Sequence, residues 1–272
     1  MPPILAVSNQ KCGTGKTTTA INLSASLTLN QQKVLLIDLD PQGNTSSGLG
    51  FPKARNNEGI SDVLLKKCDL KHIVQHVDLA QHHPLCVAPV SSFCATALHD
   101  LELMPNREYL LREAINALLS EEDFDYIIID CPSSLNLLTT NAFCAAQELF
   151  VPIQAEYYAL ENINDLLLHL QRVKYSFHSA IEMGSVLLTM VTPSTLSQDV
   201  VEQVNIFFGS EYCLTRVIPR DSTLIEAFSQ GQCIFQHTPE SLAAEAYLDV
   251  AQQVQRRHSQ TDKRSYSLRM AL

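Results

Sequence analysis

Continuous apolar runs recur along the chain near 4–8, 34–38, 86–90, 126–130, 149–153, 186–191 and 214–218. Runs of this length without polar alternation read as strands covered on both faces, the pattern of a parallel sheet enclosed by helices. Most of the stretches between them carry helical spacing, as from residue 16 to about 29. The alternation predicts an α/β fold with a mainly parallel, twisted sheet and helices on both faces. Such a sheet collects ligands beyond the C-terminal ends of its strands, so polar residues directly following an apolar run are where chemistry is expected. The segment 51–84 is less regular, and its most readable part is a short helix around 60–66. The chain has no internal repeat and no long Pro/Gly/Ser linker, and 272 residues suffice for one substantial core.

Between the first run and the first helical stretch lies Asn9-Gln10-Lys11-Cys12-Gly13-Thr14-Gly15-Lys16-Thr17-Thr18-Thr19. It follows the phosphate-loop pattern G-x-x-x-x-G-K-[ST], with Gln10 in place of the first glycine and an additional lysine at position 11. Gly13 and Gly15 let the backbone turn around a phosphate, and Thr14, Thr17 and Thr18 lie on the turn and the helix start that would hold it. Lys16 reaches the β/γ oxygens and the Thr17 hydroxyl binds magnesium. The loop delivers the phosphates to a helix N-terminus, where free amides and the helix dipole favour anions. Two further runs end in acids, Asp38-Leu39-Asp40-Pro41-Gln42-Gly43-Asn44 and Tyr126-Ile127-Ile128-Ile129-Asp130-Cys131-Pro132. A carboxylate so placed can hold magnesium through a water, which makes Asp130 the candidate metal support. Asp40 is a candidate to position a water against the terminal phosphate.

These three segments resemble the ParA/Soj branch of the deviant-Walker P-loop ATPases, relatives of MinD, and the likeness runs over 4–254. Lys11 matches the signature lysine, which in that family reaches across a nucleotide-sandwich dimer to the partner's phosphates. Val151-Pro152-Ile153-Gln154-Ala155-Glu156-Tyr157-Tyr158-Ala159-Leu160-Glu161 is similar to another ParA-type segment, and both it and the form of the second motif favour ParA over MinD. Pro219-Arg220-Asp221 lies where the family has Pro-Arg-Asn, near the adenine base. The resemblance implies a three-layer P-loop NTPase domain over 1–255 and slow hydrolysis of ATP with Mg2+, while the basic composition of 256–272 reads as a flexible tail. The residues the resemblance puts in catalysis are Lys11, Lys16 and Asp40. It further implies a nucleotide-dependent homodimer, a ParB-like partner, a role in chromosome or plasmid segregation, and a cytoplasmic, nucleoid-associated location.

The chain departs from that family in two places. Cys12 stands where ParA proteins have a glycine, on a turn that faces the other subunit's nucleotide, and a side chain there is expected to weaken the dimer if the interface is tight. Two arginines commonly used to hold DNA align with Ser194 and Thr223. The stretch 175–255 carries two basic residues, Arg216 and Arg220, against nine acids, for a net charge of −7. Such a surface should repel a phosphate backbone. Residues 256–272 carry +4, so the rest holds −14 of the chain's total of −10, and the tail is the expected place for any DNA contact.

An alternative from another class is therefore a monomeric, nucleotide-dependent regulator of a protein partner such as a replication-initiation factor, with weak or no DNA binding. A MinD-like membrane-positioning ATPase is disfavoured, because Tyr266-Ser267-Leu268-Arg269-Met270-Ala271-Leu272 is too short and weakly patterned for a membrane-seeking helix. No secretory segment is read at Met1-Pro2-Pro3 and no apolar stretch approaches eighteen residues, so a soluble cytosolic protein is expected. The eight cysteines include no C-x-x-C pair, which points to reduced, mostly buried thiols. His72 and His76, four apart, lack a third ligand at zinc-site spacing.

Overall fold

The computed structural model describes residues 1–51, 58–79, 84–90, 95–161 and 163–270, with the side chains of 95–96 and 260–270 outside the description. In chain order the elements are β1 (Ile4–Val7), α1 (Lys16–Leu29), β2 (Val34–Asp38), α2 (Asn44–Gly48), α3 (Ile60–Leu64), α4 (Leu70–Ile73), β3 (Gln75–Val77), β4 (Leu85–Ala88), α5 (Ala95–Leu103) and α6 (Leu110–Leu119). They continue with β5 (Tyr126–Asp130), α7 (Leu137–Ala145), β6 (Glu148–Gln154), α8 (Ile163–Ser176), β7 (Glu182–Thr189), α9 (Thr195–Phe208), α10 (Thr223–Ser229), α11 (Ile234–His237) and α12 (Leu242–Met270). The strands form one sheet in the order β3-β4-β2-β5-β1-β6-β7. Every pairing is parallel except that of β3 with β4.

Alternate residues of each central strand feed opposite faces, as strand geometry requires. Ile4, Ala6, Leu35, Ile37, Ile127 and Ile129 pack into a core completed by α3 and α5 to α9. Leu5, Val7, Leu36 and Ile128 pack on the other side with α1 and α12, where Leu23 and Leu27 meet Tyr247, Val250 and Val254. Helix α1 is buried although it is rich in hydroxyls. Ser26 and Thr28 donate back to the carbonyls of Asn22 and Ser24, at 2.7 and 2.9 Å, so their burial leaves those donors paired.

Three features differ from the sequence expectation. The apolar run 214–218 forms no strand; it meets β7 only where Leu214 N–H and Ile218 N–H each donate to it at 2.9 Å. Between them Thr215 gives its N–H and its hydroxyl to Gln253 of α12, both at 2.9 Å, and Pro219 has no N–H with which to extend a ladder. Strand β3 falls in the segment read as irregular, since three residues of which two are exposed carry no apolar run.

The division expected at residue 255 falls inside α12. There the Arg257 guanidinium donates to Ser185 Oγ and to the carbonyls of Tyr212 and Cys213 at 3.1, 3.0 and 2.8 Å. His258 lies 3.0 Å from the Tyr126 hydroxyl and 2.9 Å from Glu148 Oε1. Those partners sit on strands and on the segment after α9, more than forty residues away in sequence, so local charge suggested a free tail where two of its side chains are docked.

Of the cysteines, Cys12 is exposed, Cys68 is half-buried, Cys86, Cys131, Cys144, Cys213 and Cys233 are buried, and Cys94 lies outside the described residues. His72 pairs with Glu58 at 3.2 Å while His76 meets Cys86 Sγ at 3.6 Å, so the two histidines do not converge. Among the described residues no group of three or more possible metal-binding His, Cys, Asp or Glu occurs, and no helix is long and apolar enough to cross a membrane.

Candidate functional site

The phosphate loop follows β1 and is held from both sides. Asn9 donates its amide to the Pro152 carbonyl at 2.8 Å and accepts Lys11 N–H at 3.0 Å, while Thr189 at the end of β7 donates to the Thr14 carbonyl at 2.9 Å. Gly13 and Gly15 have φ of 78° and 82°, a region that a Cβ disfavours. Gln10 has no such positive φ, which is why this loop dispenses with the first glycine of the pattern. Lys16 opens α1 and is only 7% exposed. Its ammonium donates to the Lys11 carbonyl at 3.1 Å and to Ser133 Oγ at 2.8 Å. Burial lowers its pKa, and the nearby Asp130 opposes that shift.

Beneath the loop two carboxylates stand side by side, because β2 and β5 pair in register with Asp38 opposite Asp130. Asp130 Oδ2 accepts from the Thr17 and Thr45 hydroxyls at 2.8 and 2.7 Å. Asp38 Oδ2 accepts the N–H and hydroxyl of Ser46 at 2.7 and 2.6 Å, and Ser46 Oγ in turn accepts Val90 N–H at 2.9 Å. Desolvation raises Asp38 to about 7, with the adjacent Asp130 adding to it. Desolvation also raises Asp130 to about 6, against the lowering effect of its two threonine bonds. The Oδ1 atom of each acid is buried without a hydrogen-bond partner among the described residues. An unpaired carboxylate oxygen one threonine away from a phosphate loop fits a hydrated divalent cation, which would also return both acids to the charged form. Asp40 lies past the strand, partly exposed, in a turn closed by Gly43 N–H to its carbonyl at 2.8 Å, and its Oδ1 accepts Gln42 N–H at 2.9 Å.

One cavity of about 520 Å³ joins these groups to a second wall. Cys12, Gly13, Gly15, Lys16, Thr17, Thr18, Asp40 and Ser133 border it at the loop, and Pro219, Arg220 and Asp221 border it beyond β7 with Ile218, Leu224, Phe228 and Tyr247. Pro219 is bridged to Val191, whose carbonyl accepts Arg220 N–H at 3.0 Å. The Arg220 side chain pairs with Glu156 at 2.6 Å. Asp221 Oδ1 accepts from the N–H and hydroxyl of Thr223 at 3.0 and 2.6 Å, which fixes the start of α10. Met190, on the same wall, has φ of 54°, a conformation uncommon for a side chain of its size.

The structure thus gathers most of the sequence candidates around one space, with three exceptions. Thr14 is buried behind the loop, Asp130 lies beneath the cavity behind Thr17, and Lys11 points away from Lys16, its ammonium 3.3 Å from the Tyr158 carbonyl on the surface. Ser133, Thr45, Ser46, Thr189, Met190 and Phe228 were not read from sequence. Thr45 and Ser46 directly follow the second acidic motif and Ser133 follows Asp130 by three, so proximity to those motifs was a usable signal. Met190 and Phe228 had none. Ser194 caps α9 through Ser197 N–H at 3.2 Å, and Thr223 is occupied with Asp221.

A glycine-turned loop at a helix N-terminus, a buried lysine, and a carboxylate bonded to the helix's threonine at adjacent strand ends define a P-loop nucleotide-binding protein. The family model described as an AAA domain matches residues 3–183. The sporulation initiation inhibitor protein Soj of Bacillus subtilis is 41% identical over 257 residues, covering 93% of this chain and 98% of that protein. The chromosome partitioning protein ParA of Caulobacter vibrioides is 37% identical over 252 residues, 92% of this chain and 93% of its own length. Among solved structures, cobyrinic acid a,c-diamide synthase from Mycobacterium smegmatis with a bound ATP analogue and magnesium matches with a TM-score of 0.81 at 30% identity, over 95% of this chain and 96% of that one. The chain belongs to the ParA/Soj family of chromosome-partitioning ATPases.

Proposed function

We propose that the chain is a MgATP-driven dimerisation switch acting in chromosome or plasmid segregation with a ParB-like partner. The observation that carries this reading is the joined cluster of Lys16, Thr17, Thr45 and Asp130 at one end of a cavity whose other end is an apolar wall. Gly13, Gly15 and the first amides of α1 cradle the phosphates, with Thr18 beside them and Thr14 supporting the turn from behind. Lys16 offsets the β/γ charge, Thr17 holds Mg2+, and Asp130 supports the ion through a water. The metal, when bound, neutralises charge developing between the β- and γ-phosphates. Asp40 accepts a hydrogen bond from the attacking water and aims it at the γ-phosphorus. The new P–O bond forms as the bond to the β–γ bridging oxygen breaks, and ADP and phosphate leave. Pro219, Arg220 and Asp221 border the adenine.

Lys11 acts across the dimer in this reading, because its ammonium already lies on the exposed surface beside Tyr157 and Tyr158, which are 72% and 62% exposed. Cys12, also exposed at the cavity rim, weakens that dimer by crowding it. DNA binding is weak, since 175–255 carries −7 and Ser194 and Thr223 are uncharged. Association with the nucleoid then depends on the partner, or on the basic residues of 256–272. The monomeric regulator is the second reading, favoured by Cys12 and the acidic face. Light scattering with MgATP in an Asp40→Ala background separates the two, because blocked hydrolysis traps any dimer that can form. A mass that stays monomeric at all nucleotide concentrations would remove the dimer switch and leave the regulator.

A further inference from the structure

Ser133 lies outside every motif read from the sequence, yet it is the side chain that receives the Lys16 ammonium, at 2.8 Å. It sits on the loop leaving β5 and borders the cavity. An ammonium only donates, so Ser133 Oγ is the acceptor in that bond and its own O–H remains available to donate. Among the described residues that hydroxyl has no second partner.

Strand order fixes which part of a nucleotide the hydroxyl can meet. Along the C-terminal edge of the sheet the strands run β2, β5, β1, β6, β7, each about 4.8 Å from the next. The apolar wall extends from β7, the phosphate loop follows β1 in the middle, and Asp40 and Ser133 follow β2 and β5. A nucleotide with its base on the wall and its inner phosphates on the loop directs its last phosphate toward β5 and β2. On that side Asp40 can only accept hydrogen bonds and would repel a phosphate. Lys16 and Ser133 face the cavity there as a bonded pair of donors, with the Gln42 and Asn44 side chains on the β2 side of them.

We propose that Ser133 is a terminal-phosphate sensor. It holds Lys16 when no nucleotide is bound, and with MgATP present it donates its hydroxyl hydrogen to an oxygen of the γ-phosphate, so that the site separates ATP from ADP. This rests on the nucleotide reading above.

The test is isothermal titration of the full chain with a magnesium-bound, non-hydrolysable ATP analogue and, separately, with MgADP. Ser133→Ala should weaken the analogue about tenfold, the usual effect of losing one hydrogen bond to a charged group, and leave MgADP affinity unchanged. Ser133→Gly, which removes the whole side chain, should behave the same way, and Ser133→Thr should restore the preference. Equal weakening of both nucleotides would show that Ser133 acts only by placing Lys16. Unchanged affinity for both would show the hydroxyl to be idle, and either result overturns the proposal. A wild-type chain that bound neither nucleotide would instead overturn the reading of the cavity itself.

Discussion

At the β5/β2 end of the cavity Lys16, Asp38 and Asp130 are 7%, 0% and 0% exposed, and each is bonded to its own hydroxyl or backbone partners at 2.6 to 3.1 Å. At the β7 end the wall is apolar and open, with Phe228 37% and Ile225 73% exposed. The site divides its work between the two ends. Charges in a water-poor setting act strongly on phosphates and metal, but they must be fixed in place by bonded neighbours. A wall that meets a flat base needs only area, and it tolerates exposure and approximate fit.

Removing the central charge should have the largest effect. Lys16→Ala is expected to weaken MgATP at least about 100-fold, since it strips the buried cation from the phosphates, and to weaken inorganic triphosphate in parallel. Calorimetry with both ligands checks this. Phe228→Ala should do the reverse in kind and less in size. A loss of roughly three- to tenfold for MgATP is expected from an aromatic face, with triphosphate affinity untouched. If triphosphate weakened as much as ATP, the two ends would not be separable.

Much of the polar end was legible because it is local. Eleven consecutive residues hold the loop, and the two acidic motifs each announce a strand end. What remained hidden depends on pairing and packing. Asp38 draws the raised carboxyl of Asp130 beside it only because β2 and β5 pair in register. Ser133 matters because its loop folds over Lys16. The apolar wall is gathered from the end of β7, the 218–221 segment and α10, which no spacing connects. The false strand at 214–218 has the same origin, since an apolar run cannot disclose that Gln253 will claim the backbone of Thr215.

Cys12 tests whether the open rim of the cavity is also an interface. Cys12→Gly should tighten the MgATP dimer of the Asp40→Ala protein by about 5- to 150-fold, matching an overpacking cost of roughly 1 to 3 kcal/mol. Light scattering over a concentration series reads it, and equal dimer strength in the two proteins would leave Cys12 a tolerated side chain. DNA binding should be weak near physiological salt and fall further when 256–272 is deleted. Gel shifts across a salt series would reveal tight, deletion-independent binding if the basic surface lies elsewhere.

The smallest expected effect lies in the buried acid pair. Both carboxyls titrate higher in the folded protein, about 7 and about 6 against 3.8 unfolded. The fold therefore retains protons that the unfolded chain has released. The pair's contribution to stability is present below the unfolded value and is lost as pH rises through the folded values. In EDTA the melting temperature should fall between pH 5 and pH 8, and Asp38→Asn should flatten that fall. Mg2+ should reduce it as well. An identical pH profile in the variant would mean that Asp38 stays charged throughout.

The role of Lys11 bears most directly on the whole account, because a lysine acting within its own subunit would make the cavity an ordinary nucleotide site. Titration of MgATP into Asp40→Ala and into Asp40→Ala with Lys11→Ala, with mass measured on the same samples, decides between the two. Loss of Lys11 should abolish the dimer and lower affinity only by the part that dimerisation contributes, far less than loss of Lys16 does. Affinity falling on loss of Lys11 as far as it does on loss of Lys16 would contradict the account.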